Sequence, residues 1–141
     1  DTVMLKGIIR TGFSDDSSIP AWAKPYVSTA LMSGIITGFK DDEGRLVFAA
    51  QEPVTFCEAA VVLDNLLKIP DVAAVSAMAQ DTCPAWSYQA ETNLTACDIM
   101  PVMGTACGEN VTRADAAEML VAALDIIKDR DGGSLLLKWA K

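Results

Sequence analysis

The chain has 141 residues, 51% of them hydrophobic and 6% aromatic, enough for one domain with a core and weighted towards helix rather than an all-β sandwich. Nineteen acidic residues against eleven basic ones give a net charge of −8, which argues against general nucleic-acid binding. There is no histidine, which removes the commonest general base, the Ser-His and Cys-His nucleophile pairs and every His-containing metal site. The chain therefore reads as a non-enzyme without cofactor or resident metal.

At the front, Val3-Met4-Leu5-Lys6-Gly7-Ile8-Ile9 has the pattern of the tail of a capped helix. The opening Asp1-Thr2-Val3 shows no basic n-region and no signal peptide, so the chain reads as a piece of something longer. A first helix is expected to start between Pro20 and Ala23, with Trp22, Tyr26, Ala30 and Leu31 near one face and Pro25 in the first turn. Gly34 supplies a left-handed residue after its end, and Ile35 the accompanying apolar contact. A loop over Thr37 to Pro53 follows, with Gly38 and Gly44 as turn residues. A second helix opens on a capping box, Thr55 with Glu58, and carries Ala59, Ala60, Leu63, Leu66 and Leu67 at helical spacing until Pro70.

Both features recur. Pro20-Ala21-Trp22-Ala23 returns as Pro84-Ala85-Trp86-Ser87, 64 positions on, and Val54-Thr55-Phe56-Cys57-Glu58-Ala59-Ala60 returns as Val111-Thr112-Arg113-Ala114-Asp115-Ala116-Ala117, 57 positions on. Two blocks in the same order indicate a duplicated helix-loop-helix unit, the second seven residues shorter. The second capped helix starts at Thr112, carries Ala116, Met119, Leu120, Ala123, Leu124 and Ile127, and stops at Asp131-Gly132-Gly133. The Ala-rich stretch Asp71 to Gln80 is expected to be a short helix, and the apolar Leu135-Leu136-Leu137-Lys138-Trp139 to dock against the first helices. The two capped helices should pack together through Ala59, Ala60, Ala116 and Ala117. The fold class is thus mainly α, a helical bundle of repeated units. No apolar run approaches the roughly 20 residues of a membrane-spanning helix.

Four cysteines at spacings of 26, 14 and 10 match no zinc pattern. They are compatible with two disulfides or with free core thiols. Cys97 and Cys107 are near enough in sequence for a local bridge, which leaves Cys57 with Cys83. Asp41-Asp42-Glu43-Gly44 has the acidity of a calcium loop but lacks the alternating ligands and the closing Glu. Asn93-Leu94-Thr95 and Asn110-Val111-Thr112 fit a glycosylation pattern that is common in sequences of any function.

The set Phe13-Ser14-Asp15, Trp22, Gly34-Ile35-Ile36-Thr37-Gly38 and Val54-Thr55-x-x-Glu58-Ala59-Ala60 resembles a repeat of the S-layer homology family. Trp86, Ile99 and Val111 to Ala117 resemble a second. The resemblance implies residues 1–12 as the tail of a preceding repeat, 13–69 as a first repeat, 70–130 as a second, shortened one, and 131–141 as a C-terminal tail. It also implies a pseudo-threefold bundle and a non-catalytic anchor at the bacterial cell wall or S-layer, part of a larger extracellular surface protein. The partner would be an anionic secondary cell-wall polysaccharide, often carrying pyruvate ketals, bound in grooves between repeats.

The site carried over from the family is Arg113, Trp22, Gly34, Thr112 and Trp86. Arg113 follows the Thr112 cap, so its guanidinium lies beside the free N–H groups and positive end of a helix, a setting suited to a carboxylate or phosphate. The alternative for Arg113 is a partner Asp or Glu. Thr55, Glu58, Thr112 and Asp115 are expected to serve as caps, and Trp22 and Trp86 as anchors packed on the core, with sugar stacking the other reading of the indoles. Two departures stand out: Phe56 replaces the motif arginine in the first copy, and Asp98-Ile99-Met100-Pro101-Val102 stands where the first has Gly34 to Gly38. These favour the alternative function, a degenerate helical spacer or protein–protein module without glycan binding.

Overall fold

The computed structural model describes residues 10–73, 83–99 and 107–130. The chain divides into two compact units between Glu52 and Pro53, inside the span read above as one repeat. Among the described residues there are four α-helices and one two-stranded sheet, so the mainly α expectation holds. The front segment Val3 to Ile9, residues 74–80 of the Ala-rich stretch, Asp131 to Gly133 and the tail Leu135 to Trp139 lie outside the described residues.

The first unit contains α1 (Lys24–Met32) and a hairpin of β1 (Phe39–Lys40) and β2 (Leu46–Val47). The Pro20 carbonyl starts α1 by accepting from the N–H groups of Ala23 (2.9 Å) and Lys24 (3.2 Å). Pro25 occupies the first turn, where no helical hydrogen bond is lost. Gly34, at φ +70°, ends the helix by donating to Leu31 O (3.1 Å), and Ile35 N–H donates to Ala30 O (2.9 Å). This is the double bond of a Schellman turn.

The buried face of α1 differs from the expected one. Val27 is buried, and Ala23 and Leu31 are half-buried against Phe13, Ile19, Ile36, Leu46 and Phe48, whereas Trp22 and Tyr26 are 75% and 72% exposed. One residue's rotation, about 100°, separates the two faces. Close packing on Phe13 and Phe48 selects the smaller side chains.

The segment read as a plain loop folds into the hairpin, in register Phe39↔Val47 and Lys40↔Leu46. Asp41 shapes its turn: Oδ1 accepts from Glu43 N–H (3.0 Å) and Arg45 N–H (2.8 Å), and Oδ2 from Arg45 Nε (2.9 Å). The hairpin is clasped from the front of the unit. Ser14 N–H donates to Leu46 O (2.8 Å), and the Asp15 carboxylate accepts from Phe48 N–H (2.9 Å) and Ala49 N–H (2.8 Å). Burial alone would raise the Asp15 carboxyl, but these backbone donors outweigh it and hold it below the usual range.

The second unit holds α2 (Phe56–Leu67), α3 (Tyr88–Ala96) and α4 (Arg113–Arg130). The α2 residues Phe56, Ala60, Leu63 and Leu67 share one core with Ala90 and Leu94 of α3 and Met119 and Ala123 of α4. α2 packs most extensively along α3. The two capped helices are neighbours, as expected, but the tie differs. Their N-termini join through Val111 N–H to Val54 O (2.8 Å) and Phe56 N–H to Glu109 O (3.0 Å). Ala60, Met119 and Ala123 make the core, while Ala117, Leu120 and Leu124 are exposed.

α3 repeats α1 at both ends with the offset of 64. Pro84 O accepts from Ser87 (3.0 Å) and Tyr88 (3.1 Å), and the same Schellman bonds recur from Asp98 N–H to Thr95 O (3.1 Å) and Ile99 N–H to Leu94 O (2.9 Å). Asp98, at φ +56°, takes the place of Gly34. The glycine has gone but the turn has not, because Asp is one of the few other residues that enter the left-handed region at modest cost.

The cysteine pairing is also corrected. Cys57 is bridged to Cys107, with Cα atoms 5.0 Å apart, in place of Cys97–Cys107 and Cys57–Cys83. Cys57 N–H donates to Cys107 O (3.2 Å), so the backbone tie between the capped helices sets these two residues opposite each other. Cys97 caps the C-terminus of α3 and packs on the main core. The Cys83 thiol donates to Glu91 Oε2 (2.9 Å).

Candidate functional site

In the first unit the exposed rings of Trp22 and Tyr26 stand four residues apart at the start of α1. This is the separation at which helix neighbours share a face. Both rings are in water, which corrects the expectation that Trp22 anchors the core. Gly34 lies beyond the other end of α1, about 18 Å further along the axis at 1.5 Å per residue. Trp22 and Gly34 therefore do not meet at one contact point. A Cβ at Gly34 would touch nothing within 4 Å, so its role is the left-handed turn. At Gly38, φ +66°, a Cβ would stand 2.5 Å from Phe13 Cε1 and 2.7 Å from Val47 O, so glycine there allows close packing.

In the second unit Trp86 is 61% exposed, at the position equivalent to Trp22, and is likewise no core anchor. Thr112 is fully engaged as a cap. Its N–H and Oγ1 donate to Asp115 Oδ2 (2.9 and 2.6 Å), and Oγ1 accepts from Asp115 N–H (3.2 Å). The Thr112 hydroxyl, and then its N–H, hold the Asp115 carboxyl below its ordinary value. Thr55 and Glu58 form the same reciprocal box on α2.

Arg113, the first residue of α4, is exposed and makes no ion pair among the described residues. Its guanidinium and the helix terminus are available to an anion, with the Asp115 carboxylate as a competing charge in the same turn. Phe56, at the equivalent position of α2, is buried in the core. An arginine there would face packed Leu63 and Leu94 rather than solvent, which accounts for the departure from the motif.

Two groups have no functional reading from the sequence. Tyr26, expected only to share a helix face with Trp22, is exposed like it. Glu91 is fully buried, accepts from Ser87 Oγ (2.7 Å) and from the Cys83 thiol, and sits 3.1 Å from Cys107 Sγ. The 64-residue offset carried the signal, since it aligns Glu91 with the core residue Val27.

The family profile described as S-layer homology domain matches residues 12–60, from just before Phe13 to Ala60 of α2. No curated protein and no solved structure matches the chain. The matched span contains the Phe13-Ser14-Asp15 clasp, α1 with its glycine turn, the hairpin and the capped start of α2. Residues 12–60 thus match the S-layer homology domain, a family of modules that serve attachment at the cell surface.

Proposed function

We propose that the chain is an anchoring segment of a larger extracellular bacterial protein, holding it to an anionic secondary cell-wall polysaccharide. The observation that carries this reading is the exposure of Trp22 and Tyr26 within the matched span. Planar aromatic faces in water suit the apolar faces of sugar rings, and a ring left this exposed contributes little to folding. The recurrence of α1 as α3, with Trp86 exposed at the same position, supports a second, divergent repeat over residues 70–130 in the same role. Arg113 supplies the cation for an acidic substituent such as a pyruvate ketal, and the Cys57–Cys107 bridge accords with an oxidising, extracellular compartment.

The spacer reading draws on the net charge of −8 and on Asp115 beside Arg113, both of which repel an anionic polymer. Co-sedimentation with purified cell-wall sacculi tests the two. Wild type should pellet with intact sacculi and stay soluble with sacculi stripped of secondary polymer, and Trp22→Ala should weaken pelleting. Wild type that stays soluble with intact sacculi overturns the anchoring reading and leaves the spacer.

A further inference from the structure

The 64-residue offset places the inward stripe of α1, Ala23, Val27 and Leu31, on Ser87, Glu91 and Thr95 of α3. In the first unit this stripe is apolar and packs on Phe13 and its neighbours. In the second it is polar and still shut away from water: Ser87 and Glu91 are 0% exposed, and Thr95 Oγ1 is buried without a partner. A helix that only had to fill a core would gain nothing from this, because buried polar atoms cost free energy unless they are engaged.

What Ser87 and Glu91 face is sulfur. Cys57, Cys83 and Cys107 form one buried cluster with Tyr88 packed on it. The Glu91 carboxyl lies between the sulfurs, Oε2 at 2.9 Å from Cys83 Sγ and Oε1 at 3.1 Å from Cys107 Sγ. A Glu91 oxygen and the sulfurs of Cys57 and Cys107 all lie within 4.8 Å of one another. No Lys or Arg pairs with Glu91 among the described residues.

We infer that this cluster is a redox-gated site for a soft divalent cation of the zinc class. In the reduced chain Cys57 and Cys107 supply two thiolates and Glu91 one carboxylate oxygen, and Cys83, which lies outside that group on the other Glu91 oxygen, moves in as a third thiolate, giving four ligands of the number and type that suit tetrahedral zinc. Opening the cystine takes two electrons and two protons. With a phosphine reductant the phosphine becomes its oxide, and water supplies the oxygen and the two thiol protons. Metal binding then releases three thiol protons to the buffer. Cys57 and Cys107 cannot serve both states: when a small-molecule disulfide takes two electrons from their thiolates and two protons from the buffer, it leaves as two thiols, the Cys57–Cys107 bond closes and the cation is released.

The test is anaerobic titration of the full chain with Co2+ and then Zn2+, with and without tris(2-carboxyethyl)phosphine. The reduced chain should bind one Co2+ with thiolate charge-transfer and tetrahedral visible bands that Zn2+ bleaches, and the oxidised chain should show neither. Cys83→Ser and Glu91→Gln should each weaken binding by about tenfold or more, a loss that even outer-shell partners produce. Cys97→Ser should change nothing. If reduction unfolds the chain, Zn2+ should restore its helical circular dichroism in wild type and fail to do so in Cys83→Ser. Bands of equal strength in the oxidised chain, binding indifferent to Cys83 and Glu91, or a reduced chain that Zn2+ neither binds nor refolds would each overturn the inference.

Discussion

Gly34 and Gly38 share a left-handed backbone, φ +70° and +66°, but differ in surroundings, so replacing each by alanine separates two physical effects. Gly34→Ala meets open space and carries only the left-handed cost, about 1–2 kcal/mol. Gly38→Ala carries the same cost and in addition drives a methyl to 2.5 Å from the Phe13 ring and 2.7 Å from Val47 O. Phe13 is buried in the unit's core, and Val47 O belongs to the β2 backbone, so neither can yield without disturbing the core or the Phe39↔Val47 pairing. Overpacking of this kind adds about 1–3 kcal/mol, for a total of roughly 2–5. Urea denaturation followed by circular dichroism should show the larger loss in Gly38→Ala. The amides of Phe48 and Ala49, held by Asp15, should also lose hydrogen-exchange protection there and keep it in Gly34→Ala. Equal destabilisation by the two substitutions would refute the steric argument and leave only the backbone term.

Non-reducing peptide mapping should link the peptides of Cys57 and Cys107, and a Cys97–Cys107 or Cys57–Cys83 linkage would refute the structure here. Opening this bridge, whose partners are 50 residues apart, should cost about 4 kcal/mol at most in the chain-entropy account, measured by denaturation with and without reductant. The Lys24 ammonium beside Asp16 (2.5 Å), together with Thr11, lowers the Asp16 carboxyl from 3.8 to about 2. Its stabilising contribution is therefore complete above pH 3.8 and lost as pH falls towards 2. Lys24→Met should move the Asp16 titration upward in a carboxyl NMR experiment, and an unmoved titration would refute the pair. Burial raises the Asp64 carboxyl despite its bond from Asn93 Nδ2 (3.1 Å), so stability should fall as pH rises from 3.8 through the raised value. Asp64→Asn should remove that fall in pH-dependent urea midpoints. In the sacculus assay Arg113→Ala should weaken binding about tenfold or more and Arg113→Lys recover part of it, while unchanged binding would remove Arg113 from the site.

Local chemistry was legible in the sequence because it depends on neighbours along the chain. The capping residues Thr55 and Thr112, the first-turn Pro25, the Gly34 turn and the 64- and 57-residue offsets all recur in the structure, since each needs only a few adjacent residues to act. Which face of a helix turns inward was decided by tertiary packing. Trp22 and Val27 both fit a helical stripe, and only the shape of the Phe13–Phe48 core places Val27 inside and leaves Trp22 in water. The same holds for Phe56 and Arg113, which are the equivalent first residues of their helices but lie respectively in a core and in solvent. Sequence spacing suggested Cys97 for Cys107, yet a disulfide depends on the distance between Cα atoms in space. The backbone bond between residues 57 and 107 brought together what the chain separates. Glu91 marks the boundary between the two kinds of information. The alignment of repeats shows that a core position has turned acidic, and only the fold shows the sulfur waiting opposite it.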